Sequence, residues 1–268
     1  MQTAAQNGVQ RLYHYQCANL DYLRDTLANQ RVHFSNPKNF NDPWDCNPYF
    51  TAAVKDAESR RKWGERLGPM YKELPAQLRA QLEATWHGNW YDHEELLRRS
   101  IDSLSGWVRQ LTIDRWRIYC LTPHADSVLM WAHYAEKHKG ICLELRAQTE
   151  QVGRACRVLY QDAFPLIGPD DFGNPPALVD AVLLTKSREW AYEDEYRVLA
   201  RDEDADPTFS LRTANDYLRL TAGALTGIIA GSSSDIGAIQ AVLAESRCDI
   251  PLRRAVRMPD RYHLGIVE

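Results

Sequence analysis

The composition of the chain changes between residues 55 and 116. Within this stretch Glu, Arg, Leu and Ala dominate, whereas the residues before and after it follow strand-type alternation. Breaks near Pro69, Pro75 and Gly88 divide the stretch into three or four amphipathic helices. A chain whose helices are concentrated in one segment fits the α+β class. We therefore expect one α+β domain over residues 1–268, with residues 55–116 as a helical insertion within it.

The flanking regions predict short strands and helices. Residues 11–15 are β-prone, and Leu20, Leu23 and Leu27 follow at helical spacing with Asn19 as a plausible N-cap. Further strands are expected at residues 31–35, 117–122, 140–146, 154–160, 218–220, 225–230 and 251–257, and further helices at residues 128–138, 177–186 and 236–246.

Composition limits the classes of function. The 32 basic and 36 acidic side chains give a net charge of -4, so the chain has no global electrostatic signature for a polyanion. It has no apolar run of membrane-spanning length, and its start lacks the pattern of a secretory signal, so we expect a soluble, cytoplasmic protein without a membrane partner. The six dispersed cysteines form no CxxC motif, which favours free thiols over a metal site.

One segment, residues 190–199, combines three acids, one arginine and three aromatic rings at the start of a predicted strand. On an extended chain, Glu193, Glu195 and Arg197 would share one side. One interpretation is an exposed strand edge whose charges pair in water. The other is a functional site, because carboxylates at this density beside aromatic rings are typical of ligand pockets.

Three other positions are candidates for function. Asp42 and Asp45 surround Trp44 in a proline-containing loop, where they favour a rigid turn but also present a ring that can stack on a ligand. Tyr134 lies on a short predicted helix, where its ring packs while its hydroxyl stays available. His14 lies between two tyrosines in the first strand. The GxGxxG, HExxH and GxSxG motifs do not occur, so the common nucleotide, zinc-protease and hydrolase classes are not first choices.

Five segments together resemble a bacterial family known as domain of unknown function 2971. They are LYHY, FSNPKNFNDPWDC, CLTPHADSVLMWAHYAEKHKGICLEL, LLTK and WAYEDEYRVL, and they occur in that order over most of the chain. The resemblance groups these segments into one domain and implies no function by itself.

More remotely, the order of elements resembles the ADP-ribosyltransferase fold of the histidine-tyrosine-glutamate type. That fold has a split β-sheet core and holds NAD in a cleft between two small twisted sheets. The resemblance implies that His14 contacts the nicotinamide ribose and that Tyr134 stacks on the nicotinamide. It also implies that Glu195 is the catalytic glutamate, with Glu193 completing an E-x-E spacing.

The dinucleotide would have further contacts in this resemblance. Ser35 and Trp44 are assigned to cofactor binding, and Arg197 is a candidate for the pyrophosphate, with Arg11 and Arg31 as alternatives. The sequence departs from the pattern at one residue of the first strand, because Tyr15 stands where a glycine is usual. A non-catalytic copy of the fold therefore remains an open alternative.

Three functional hypotheses follow. The first is an ADP-ribosyltransferase-like enzyme that uses NAD as a substrate and modifies a protein or nucleic acid, acting as a toxin or in phage defence. Its carboxylate would stabilise the positive charge that develops on the ribose. The second is a hydrolase, either an NAD glycohydrolase or a metal-dependent nuclease, with an acid cluster of Asp42, Asp45, Glu193 and Glu195. The third is a non-catalytic module that binds a ligand or a protein.

Overall fold

The structure is a computed structural model, and the fold is a mixture of helices and mostly antiparallel sheets, as the α+β prediction requires. The described residues are 1–47, 50, 56–73, 76–77, 80, 90–92, 94–202, 211–246 and 248–268.

Two sheets form the centre of the molecule. The first has five strands in the order β1-β4-β11-β12-β13, and the second has the order β3-β8-β5 with β9 paired to β8. Two smaller sheets pair β2 with β10 and β6 with β7. The strands are β1 (Arg11–Gln16), β2 (Arg31–His33), β3 (Trp116–Leu121), β4 (Ile141–Arg146), β5 (Cys156–Arg157), β6 (Leu159–Gln161), β7 (Thr185–Ser187), β8 (Tyr196–Asp202), β9 (Leu211–Thr213), β10 (Tyr217–Arg219), β11 (Leu225–Ala230), β12 (Leu252–Arg257) and β13 (Leu264–Val267).

The helices begin where polar caps precede apolar residues. Asn19 accepts hydrogen bonds from the N–H groups of Asp21 and Tyr22 at 3.0 and 3.1 Å, which confirms it as the N-cap of the first helix. The helices are α1 (Leu20–Asn29), α2 (Ala57–Glu73), α3 (Glu94–Arg115), α4 (Val128–Tyr134), α5 (Glu150–Gly153), α6 (Pro175–Leu183) and α7 (Ile236–Ser246).

Two of the three hydrophobic clusters found among the described residues show how the helices pack on the two sheets. The first contains Leu23, Leu143 and Ile228 and fills the space beside the five-stranded sheet, where α1 and α7 pack together. The second joins Trp63 of α2 and Ile101 of α3 to the second sheet. The helical region therefore buries its apolar face against that sheet.

Several sequence predictions need correction. Helix α2 continues through Pro69 instead of ending there. The proline removes one backbone hydrogen bond, but Trp63 and Leu67 on the same helix are fully buried, and their packing offsets that loss. The expected breaks at Pro75 and Gly88 lie outside the described residues. The single strand expected at residues 154–160 is two short strands, β5 and β6, and the final strand β13 was not predicted.

The two large sheets meet at one point and then separate. Tyr13 of β1 and Thr122 after β3 exchange backbone hydrogen bonds of 2.8 and 3.0 Å, which is the one bridge between β1 and β3 in the described chain. At the next residue, the His14 imidazole reaches across to the carbonyl of Cys120. In a continuous sheet, backbone hydrogen bonds would join β1 and β3 at this position, but here the His14 side chain takes their place. A cleft opens along this split.

Candidate active site

The split between the sheets contains a cavity of about 370 Å³. Its walls come from β1, the loop after β2, the end of β3, helix α4, strand β7 and the segment that precedes β8. The side chains that line it include both aromatic rings and charged groups: Tyr13, His14, Tyr15, Ser35, Asn39, Phe40, Asn41, Asp45, Cys120, Leu121, Met130, His133, Tyr134, Lys186, Glu193 and Glu195. A concave site with a few convergent polar groups is the usual form of a small-molecule pocket.

A fully buried arginine organises the charges beside this cavity. Arg197 of β8 binds both oxygens of Glu195 at 2.8 and 2.9 Å and both oxygens of Asp45 at 2.9 and 2.6 Å. A further N–H donates to the carbonyl of Leu183 at 2.7 Å. These contacts use the five donors that a guanidinium has. Arg197 therefore holds two carboxylates rigidly and has no donor left for a ligand.

Lys186 of β7 is the second buried cation. Its Nζ lies 2.6 Å from Glu193, 3.3 Å from Glu195 and 3.7 Å from Asp45. The ammonium also lies 4.9 Å from the ring centroid of Trp190. Lys186 thus ties the carboxylate of Glu193 to the pair that Arg197 holds. We refer to Asp45, Lys186, Glu193, Glu195 and Arg197 as the cleft cluster.

The charges of the cleft cluster do not cancel. Its three carboxylates and two cations sum to one negative charge when all are ionised. Burial favours the neutral form of Glu195, but Arg197 and Lys186 outweigh it and lower the pKa of Glu195 to about 2. Burial raises the pKa of Glu193 above its ordinary value despite the attraction of Lys186. One carboxylate is thus firmly ionised, and the other binds a proton more readily than an ordinary glutamate does.

Tyr134 links the cluster to the cavity. Its hydroxyl donates to Oε1 of Glu193 at 2.5 Å and accepts from Nδ2 of Asn41 at 3.4 Å. Burial and the neighbouring Glu193 raise the pKa of Tyr134, so the hydroxyl stays protonated and acts as a donor.

His14 faces the same cavity as a neutral imidazole. Burial lowers the pKa of His14 to about 4. Nδ1 lies 2.8 Å from the carbonyl of Cys120, which can only accept, so the proton is on Nδ1 and Nε2 is left as an acceptor. The ring stacks on Tyr119 with centroids 4.2 Å apart, which fixes its orientation.

Six of the residues that the sequence singled out line one cavity. They are His14, Ser35, Asp45, Tyr134, Glu193 and Glu195. Ser35 is held there by mutual backbone hydrogen bonds of 2.9 Å with Ile118 of β3.

Among the assignments to dinucleotide binding, one is wrong in this structure and one falls on a residue outside the cleft. Arg197 is not a pyrophosphate ligand, because it is 0% exposed and its donors are all used inside the protein. Trp44 is 63% exposed and lines a neighbouring cavity instead of the cleft. Neither alternative arginine lines the cleft either, since Arg11 pairs with Glu144 and Arg31 with Asp25.

The acidic segment folds differently from the extended strand that its alternation predicted. Arg188–Glu193 form a 3₁₀ helix, and Asp194 has the left-handed φ of 42° that ends it. Glu193 and Glu195 therefore converge through Lys186 and not through strand alternation. The interpretation as an exposed edge is also wrong, because Glu193 and Glu195 are 2% and 4% exposed.

Sequence reasoning missed Lys186, which holds the two glutamates together. The available signal was a single cation at the end of an otherwise apolar run, nine residues before Glu195. The sequence analysis placed Asp45 in a rigid turn and in the acid cluster of a possible hydrolase. In the structure it is the second partner of Arg197. No group of three or more His, Cys, Asp or Glu side chains in the described ranges has an arrangement suited to a metal ion.

Comparisons with known proteins add no assignment: no family model, no curated protein and no solved structure matched the chain. Among the helices of the described residues, none has the length and apolar composition needed to cross a bilayer.

Proposed function

We propose that this protein is an ADP-ribosyltransferase-like enzyme that cleaves the bond between nicotinamide and ribose in NAD and transfers ADP-ribose to an acceptor. The observation that carries the proposal is the convergence of His14, Tyr134, Glu193 and Glu195 on one cavity between two separating sheets. The same arrangement is what the resemblance to the histidine-tyrosine-glutamate type implied.

The chemistry of the cleft suits this reaction. Breaking the glycosidic bond sends its electron pair to the nicotinamide ring and leaves positive charge on the ribose. The net negative charge of the cleft cluster stabilises that charge more strongly in the transition state than in the ground state. Glu195, ionised and held by Arg197, supplies the fixed part of this field.

Three other side chains take separate roles in the proposal. Nε2 of His14 accepts a hydrogen bond from a ribose hydroxyl, which positions the sugar. Tyr134 packs against the nicotinamide ring while its hydroxyl orients Glu193. Glu193, whose pKa is raised, takes the proton of the incoming hydroxyl or amine as the new bond to ribose forms.

The test is release of nicotinamide from NAD, with a matched pair of variants. Glu193→Gln should lower the rate by roughly 10²–10⁴-fold, because it removes the proton acceptor. Glu144→Gln is the control, since Glu144 is also a buried carboxylate paired with an arginine but lies outside the cleft. It should keep the rate within about threefold of the unmodified protein.

The products separate transfer from hydrolysis. With NAD labelled in its adenine ring, label on a macromolecule supports transfer, and accumulation of free ADP-ribose identifies a glycohydrolase instead. Absence of nicotinamide release at saturating NAD, with folded protein and a cell extract as a source of acceptors, would overturn the proposal in favour of a binding module.

A further inference from the structure

A groove of about 970 Å³ lies on the five-stranded sheet, on the face that points away from the first hydrophobic core. Side chains alternate along β1 and β4, so Leu12, Leu143 and Leu145 enter the core and the residues between them face the groove. Helix α4 covers the other end of this face, where Trp131 packs on Tyr15. The groove is lined mostly by polar side chains: Val9, Gln10, Arg11, Tyr13, Pro123, Glu144, Arg146, Gln148, Thr226, Pro251, Arg253 and Glu268.

Two arginines stand directly opposite each other in this groove. Arg11 of β1 and Arg146 of β4 are partners in the antiparallel register, and both are exposed. Like charges at such positions destabilise a sheet. Arg146 makes no ion pair and no side-chain hydrogen bond with any described residue, and Arg11 has Glu144 at 3.7 Å as its counter-ion. The guanidinium donors of this pair are therefore accessible to a ligand.

A third arginine is fixed beside the pair. Arg253 of β12 reaches across β11 and donates to Oε2 of Glu144 on β4. Gly227 of β11 leaves room for it, because a Cβ at that position would lie 2.9 Å from the guanidinium. The hydroxyls of Tyr13 and Thr226 also donate to Glu144. Glu144 is therefore occupied by internal partners and neutralises one of the three guanidinium charges.

The side chains of the groove have an excess of positive charge. Three arginines face two acids there, Glu144 and Glu268. Glu268 is exposed and forms no ion pair with these arginines in the part of the chain that the structure describes. The excess lies at the pair of Arg11 and Arg146, where two planar sets of N–H donors meet. Such donors match the oxygens of a phosphate group.

We propose that the groove binds a small phosphate monoester with a polar body, such as a sugar phosphate. Arg11 and Arg146 donate to the phosphate oxygens, and the charge of the phosphate offsets the repulsion between the two arginines. The polar body lies along the rest of the groove, where Gln10 and Gln148 bond each other. Of the side chains described, Tyr13 alone lines both the groove and the cleft. The site is separate from the proposed NAD reaction and does not depend on it.

The probe is glucose 6-phosphate, compared with glucose and gluconate by titration calorimetry at low ionic strength without NAD. Glucose 6-phosphate should bind in a saturable way. Glucose has no charge and should bind at least roughly tenfold more weakly, and gluconate, with one charge, at least roughly threefold more weakly. Equal binding of either compound would overturn the proposal, as would failure of glucose 6-phosphate to saturate at millimolar concentration. Tighter binding of an oligothymidylate without terminal phosphates would identify a nucleic-acid site instead.

Four variants locate the site. Arg146→Gln breaks no side-chain contact with the described residues, so it should fold and weaken the binding of glucose 6-phosphate roughly tenfold or more. Arg11→Gln should have an effect of the same order. Glu268→Gln removes a repelling carboxylate and should keep or increase the affinity. The control is Arg219→Gln, an exposed arginine on β10 outside the groove, which should keep the affinity within about twofold. Unchanged affinity in Arg146→Gln, or an equal loss in Arg219→Gln, would refute the site.

Discussion

Each of the two large sheets contains a buried carboxylate that an arginine neutralises, and the two sites differ in their balance of charge. In the first sheet Glu144 of β4 is paired with Arg253, accepts from Thr226 at 2.9 Å and from Tyr13 at 3.2 Å, and has Arg11 at 3.7 Å. One acid meets two cations there. The cleft cluster in the second sheet has three acids for two cations.

This difference in charge balance distinguishes a structural ion pair from a candidate functional site. The Glu144 group has an excess of positive charge and cannot stabilise a developing cation. The cleft cluster has the opposite excess and lies beside a cavity that neutral His14 and Tyr134 also face. Burial of charge alone is therefore weak evidence for function, because both sheets contain it. The sign of the residual charge, together with an adjoining cavity, is the stronger criterion.

The largest expected difference between the two regions is in stability. Arg197→Met leaves Asp45 and Glu195 buried with Lys186 as their common cation, and should lower the free energy of unfolding by about 3–5 kcal/mol. Arg253→Met leaves Glu144 with three other partners and should cost less than about 2 kcal/mol. Urea unfolding measures both. Equal losses would contradict the distinction between the two clusters.

The same cluster determines which variant can test catalysis. Glu195→Gln should destabilise the protein. It removes the charge that faces two of the nitrogens of Arg197 inside the protein. Glu193→Gln is the better variant for testing catalysis, because it should disturb the fold less. In this variant Lys186 still has Glu195 as a charged partner.

A smaller loss of stability is expected when the tyrosine hydroxyls that donate to Glu193 and Glu144 are removed. Tyr134→Phe removes a bond of 2.5 Å to Glu193 and should cost about 1.5–3 kcal/mol of unfolding free energy. Tyr13→Phe removes a bond of 3.2 Å to Glu144 and should cost about 1 kcal/mol. Urea titration of both variants at pH 7 tests the order, and a larger loss for Tyr13→Phe would reverse the comparison.

Lowering the pH should reduce the stability of the protein through His14, which faces the cleft. Between pH 6.5 and about pH 4 the unfolded chain binds a proton at His14, and the folded protein, in which the pKa of His14 is about 4, does not. The free energy of unfolding should therefore fall as the pH decreases through this window, by up to about 1.4 kcal/mol per pH unit. His14→Asn should show a shallower fall, which urea titrations at pH 7, 6 and 5 measure. Parallel curves would mean that His14 is not buried as a neutral ring.

Glu195 gives a second acid window below that of His14. Its pKa is about 2 in the folded protein against 4.5 ordinarily, so the stability that it contributes is lost as the pH falls from 4.5 towards 2. The contribution of Glu193 to stability changes with pH in the opposite direction, because its pKa is raised in the folded protein. Protonation of Glu193 stabilises the folded state, and that contribution is lost as the pH rises through the folded pKa.

Local patterns in the sequence predicted much of the fold. Strand β11 and helix α1 were placed correctly, because apolar periodicity and an N-cap are local signals. The course of residues 188–195 was not predicted, since acids and aromatic rings fit both a strand and a 3₁₀ turn. The pairing of Asp45 with Arg197 spans 152 residues, and local patterns contain no information on such contacts. Residue types and their pattern marked His14, Tyr134, Glu193 and Glu195 as candidates, the resemblance supplied their roles, and the role of Lys186 came only from the structure.

The most direct test of the central claim is a crystal structure of the Glu193→Gln variant soaked with NAD, since this variant should bind the dinucleotide and cleave it slowly. We expect the nicotinamide ring in the cleft between Tyr134 and His14, with the attached ribose facing residues 193 and 195. An ordered dinucleotide at another surface, or a cleft without NAD at saturating concentration, would contradict the account.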